Sequence, residues 1–77
     1  MMEWLVLKVI SRDDENRYCL VVWAGKIKMQ AEVHSLVPVQ SGDTLYPLRH
    51  ALYSLNRREK SAVRVIKAEP YTSVPGR

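Results

Sequence analysis

The sequence predicts an α+β fold: a small antiparallel sheet in the order β-β-β-α-β, with one amphipathic helix packed on one face. Three observations predict it. Short stretches rich in β-branched and aromatic residues fill the first half, around WLVLKVI and YCLVVWA. The stretch Lys26–Val33, KIKMQAEV, alternates polar and apolar residues without a slip, the mark of a half-buried strand. Further on, Leu45, Leu48, Leu52 and Leu55 recur at the period of an amphipathic helix.

Each element follows in order. Residues 4–10 read as a first strand, and the polar, acidic SRDDENR (11–17) as a hairpin loop. Residues 18–24 make a second strand, apolar on both faces. Gly25-Lys26 suits a two-residue type II′ turn, which wants Gly at its first central position. The alternating third strand follows, and His34–Asp43, with Pro38, Gly42 and a Ser-Gly-Asp cluster, reads as a loop. Asp43 or Thr44 caps the expected helix, Pro47 sits in its first turn, and Arg57, Arg58 and Lys60 complement its negative end. SAVRVIKA (61–68) is the last strand. The chain of 77 residues is thus one domain over 1–68, with 69–77 expected as a flexible C-terminal tail.

Composition narrows the function classes. Twelve Lys and Arg against eight Asp and Glu give +4, a mild preference for acidic partners. The lone cysteine, Cys19, excludes an internal disulfide and suits a reducing cytoplasm. His34 and His50 lack metal-ligand spacing, so no metal or cofactor is expected. The acidic run Asp13-Asp14-Glu15 lacks the pattern of a calcium loop and reads as a charged hairpin tip. The apolar N-terminus is too short for a signal peptide or a membrane span.

Register turns the strands into surfaces. With Gly25-Lys26 as the turn, Ala24 pairs with Ile27, Val22 with Met29 and Leu20 with Ala31, and these face the helix. In the flanking strands Leu5, Leu7 and Val9, then Val63 and Val65, point the same way. The uncovered face collects Trp4, Val6, Ile10, Val21 and Trp23, with Lys8, Lys28 and Arg64. A helix of about fourteen residues covers only one side of such a sheet, and a contiguous exposed apolar face marks an interaction site. A strongly curled sheet, as in a small barrel, would instead break this face into scattered surface residues.

The sequence therefore points first to a small non-enzymatic interaction or regulatory protein, an inhibitor or accessory subunit, that dimerises or binds a protein partner. Its interface residues are Trp4, Val6, Ile10, Val21, Trp23 and Lys28. The alternative is a nucleic-acid-binding regulator using Lys8 and Lys28 on the sheet, or a helix ridge of Arg49, Tyr53, Arg57 and Arg58. More remote is a metal-independent nuclease with His50 as acid-base and arginines for phosphate. No second base, paired carboxylate or phosphate loop accompanies His50, and no small-molecule substrate is evident.

Overall fold

The computed structural model describes residues 3–58 and 61–71. Six strands form: β1 (Trp4–Arg12), β2 (Arg17–Ala24), β3 (Ile27–Ser35), β4 (Thr44–Arg49), β5 (Leu52–Leu55) and β6 (Ala62–Pro70). They close into an antiparallel barrel in the order β1-β2-β3-β6-β5-β4. The described residues contain no helix, so the fold is all-β and the α+β expectation is corrected.

The correction falls on the leucine stripe. Leu45 lies directly across from Leu55 in the β4–β5 hairpin, and each is only 2% exposed. The spacings of three, four and three that suggested a helix are palindromic, so a hairpin turning at His50-Ala51 folds the stripe back on itself. Tyr46 and Tyr53 favour a strand. Pro47, which cannot donate to a ladder, stands at the β-bulge between Pro47 and Arg49, where such a residue is tolerated. Asp43 does not cap a helix. Its carboxylate accepts from the Gln40 amide and the Asn56 side chain, bracing the turn that leads into β4.

The β2–β3 hairpin matches the expected register: Ala24↔Ile27, Val22↔Met29 and Leu20↔Ala31. Gly25 has φ 59, the left-handed value a type II′ turn requires at its first central residue. In β6 Val63 is fully buried and Val65 packs against the core, also as expected.

Strand β1 departs from the expectation. Trp4 and Val6 face inward and Leu5 and Leu7 do not belong to the core, reversing the assigned parity. WLVLKVI is apolar on both faces, so no alternation fixes its orientation. The bulge between Val6 and Lys8 then restores Val9 to the interior, and a second bulge follows between Val9 and Ser11. The core comprises Val6, Leu20, Val22, Val33 and Val63 with Tyr18, Leu45 and Leu55. Closure rather than a helical lid shelters this apolar surface, which is how the uncovered face disappears.

The expected tail is also shortened. Glu69 and Pro70 belong to β6, and the Tyr71 amide donates to the Lys28 carbonyl at 3.1 Å. The rest of that expectation, residues 72–77, lies outside the described residues.

Candidate functional site

The two ends of the barrel differ. At the far end the β1–β2 loop folds on Asp13, whose carboxylate accepts from the backbone amides of Glu15 and Arg17 at 2.8 and 3.0 Å. These amides hold its pKa below the usual 3.8, helped by the Arg17 guanidinium at 3.0 Å. Arg12 lies 5.4 Å from the centroid of the buried Tyr18 ring, covering the core there.

The opposite end is open. Strand β1 begins there, the β2–β3 and β4–β5 hairpins turn there, and β6 ends there. Between them lies an almost wholly apolar cleft of about 80 Å³, lined by Trp4, Val22, Met29, Leu45, Tyr53 and Val65 together with Ala31 and Ala68. Large apolar side chains are exposed on the hairpins that turn at this end: Trp23 by 39%, Ile27 by 47%, and Leu48 by 50% at the β4–β5 tip. Lys26, Lys28, Arg49 and Lys67 are placed around this mouth against Glu3, Glu69 and Glu32, the last directly across from Lys67. Glu3 is already engaged by Arg57 at 3.2 Å.

The residues expected to form one interface are thus divided. Trp4 turns into the cleft, while Trp23 and Lys28 stand outside as direct cross-strand partners at the mouth. Val6 is fully buried and Val21 is 3% exposed, so neither can meet a partner. Ile10 is exposed but lies towards the far end.

The basic ridge does not form, because there is no helix to carry it. Arg49 sits on the β4–β5 hairpin, Tyr53 lines the cleft, and Arg57 and Arg58 follow β5. The Arg57 guanidinium stacks 4.3 Å from the centroid of the Tyr46 ring. Lys8 is on the outer wall opposite Val21. His50 is exposed at the hairpin tip, and the ridge that linked it to the arginines in the nuclease reading is gone. Cys19 packs on the outer wall with its Sγ 3.4 Å from Gln30 Nε2. Among the described residues no group of three or more His, Cys, Asp or Glu is arranged to hold a metal ion, and no helix is long and apolar enough to cross a membrane.

Sequence reasoning missed Ile27, Met29, Leu48 and Ala68 as residues of the mouth. The available signal was the tip of a hairpin, Pro47-Leu48-Arg49-His50, an apolar residue among turn formers. The helical reading of the stripe concealed it.

The fold and its mouth define a small closed β-barrel with an apolar opening at one end. The IraM/PmrD family matches residues 2–74. Signal transduction protein PmrD of Escherichia coli K12 is 44% identical over 73 residues, covering 92% of this chain and 83% of the relative. Its counterpart in Salmonella typhimurium LT2 is 36% identical over 75 residues, covering 92% and 86%. The crystal structure of E. coli PmrD superposes with a TM-score of 0.89 at 43% identity, over 94% of this chain and 87% of that one. The solution NMR structure of PmrD from Klebsiella pneumoniae gives 0.79 at 32%, over 94% and 90%. The chain belongs to the IraM/PmrD family.

Proposed function

We propose that this protein is a non-enzymatic signal transduction regulator of the cytoplasm that acts by docking a protein partner on the mouth of its barrel. The observation that carries the reading is the apolar cleft bordered by exposed Trp23, Ile27 and Leu48. Leaving such side chains in water forfeits about 1.5–3 kcal/mol each, and contiguous apolar surface of this kind is typical of interaction sites. The relatives named as signal transduction proteins support it. Trp4 forms the floor of the site, Trp23 and Leu48 are its anchors, and Lys28 and Arg49 are its charged border. Aromatic anchors surrounded by a polar rim dominate protein interfaces.

The test is site-specific photo-crosslinking in the native host, with the photoreactive residue at Leu48 or, as control, at Asp14. A discrete protein adduct is expected from Leu48 and not from Asp14. Trp23→Ala should reduce its yield about tenfold, a loss of about 1.4 kcal/mol. Equal adducts from both ends of the barrel, or none from Leu48, would remove the reading. An adduct of twice this chain's mass would point instead to a homodimer.

A further inference from the structure

The barrel is not closed along its whole length. Strand β5 pairs with β6 only from Ala62 to Arg64, and the Val65 amide donates to the Ala51 carbonyl at 2.8 Å. Beyond that point β6 runs on to Pro70 with β3 on one side and, among the described residues, no strand on the other. One edge of β6 therefore lies open beside the mouth.

The direction of the backbone groups follows from register. Tyr71 N–H donates to Lys28, and successive residues of an antiparallel pair alternate between facing the partner strand and facing away. Glu69 and Lys67 thus turn their backbone groups towards Gln30 and Glu32 of β3, while Ala68 N–H and C=O point to the open edge. The Ala68 side chain lines the apolar cleft. A residue hydrogen-bonded to Ala68 across this edge would project its own side chain on the same face, over the cleft.

We infer that the open edge of β6 accepts a short extended segment of a protein partner as an added strand. The segment carries one large apolar residue for the cleft, flanked by acidic residues. The inference deepens the docking reading and rests on it. Backbone pairing with Ala68 supplies direction, and the cleft of about 80 Å³ beside Tyr53 and Met29 supplies the pocket for one side chain. Charge selects the flanking residues: Lys26, Lys28, Arg49 and Lys67 stand around the site against Glu69 and Glu32, the cross-strand partner of Lys67, while Glu3 is taken by Arg57.

The same charges argue against a second copy of this chain. Two β6 edges would bring two basic mouths together and set a small alanine, not a large side chain, against each cleft. Pro70, which has no N–H, also limits the edge to a few residues, as on strands protected from edge-to-edge association. So short a pairing falls far below the roughly 1,200 Å² that stable interfaces bury.

The test uses the full chain, labelled with nitrogen-15, and the blocked pentapeptide acetyl-Thr-Glu-Leu-Glu-Thr-amide. Titration should produce a saturable shift, largest at the Ala68 amide, and slow the exchange of that proton. The analogue N-methylated at leucine cannot donate to the Ala68 carbonyl, and the analogue with lysine for glutamate reverses the charge. Each should bind at least about tenfold more weakly, about 1.4 kcal/mol. Ala68→Pro, which removes the free N–H at an edge position, should weaken the parent peptide similarly. Because that variant could fail to fold, the N-methylated peptide carries the test on the unaltered protein. Equal binding of the N-methylated analogue would overturn strand addition, as would an unmoved Ala68 amide at millimolar peptide. A concentration-dependent dimer that occupies the edge would overturn it too. If folded Ala68→Pro keeps the Leu48 crosslink at full yield, docking stands and strand addition falls. If the crosslink never forms at all, docking itself has failed.

Discussion

Asp13 folds the β1–β2 loop with a single side chain. One carboxylate oxygen accepts two backbone amides, and the other meets the Arg17 guanidinium. All favour the charged form, so the native carboxyl gives up its proton below 3.8. A carboxylate lowered in this way stabilises the fold above its unfolded pKa and ceases to do so as pH falls through the native value. Asp13→Asn should therefore be less stable than the parent at neutral pH. The gap should close as pH drops below 3.8 towards the lowered native value, which urea unfolding at a series of pH values will measure. A gap that widens in acid would reverse the assignment. Arg57 is a contrasting case, since its pairing with Glu3 is exposed at both side chains and such pairs contribute little. Its stack on Tyr46 places it as a local brace between β4 and the start of β1.

At the scale of elements, the β4–β5 hairpin separates two readings of the same leucines. A helical stripe makes Leu45, Leu48, Leu52 and Leu55 equivalent, whereas the hairpin buries the outer two and exposes Leu48 by half. Leu45→Ala should cost about 2–5 kcal/mol, as core truncations do. Leu48→Ala should stay within about 0.5 kcal/mol, as surface changes do, while weakening partner capture. Equal losses in denaturant unfolding would restore the equivalence and remove the hairpin. Pro47→Ala gives a second test. At a bulge the proline interrupts little, so stability should change by less than about 1 kcal/mol; in the middle of a regular ladder a missing donor would weigh more. The β2–β3 hairpin was legible because Gly25 fixes the turn and alternation fixes the face. The parity of β1 was not, because a strand apolar on both sides carries no mark of which face is inner. Interface residues drawn from β1 inherit that ambiguity, so Val6 is buried against expectation, while Trp23, on the hairpin with a fixed turn, is exposed.

At the scale of the whole molecule, the sequence shows more apolar surface than one lid can cover, but not what covers it. Barrel closure is a long-range event: β1 must meet β4, bringing Trp4 to Leu45 and Leu5 to Thr44. Nothing local in either segment announces that meeting. The seam is also the shortest ladder in the barrel. It is supplemented by Val6 N–H donating to the Asp43 carbonyl, Gly42 N–H donating to the Val6 carbonyl, and the Ser41 hydroxyl donating to the Leu7 carbonyl, each at 2.8 Å. By contrast, β2 is paired with β3 along its full length. Regions held by few contacts open locally at lower free energy than the central ladder. Native-state hydrogen exchange should therefore find the Val6 amide, which donates across the seam, exchanging at least about tenfold faster than amides within the β2–β3 ladder. That ratio corresponds to an opening about 1.4 kcal/mol easier at the seam. Such opening would widen the mouth next to Trp4, since Trp4 both pairs with Leu45 and lines the cleft. Uniform protection across seam and ladder would instead mean that the barrel opens only by global unfolding, and that its mouth meets a partner as a rigid shape.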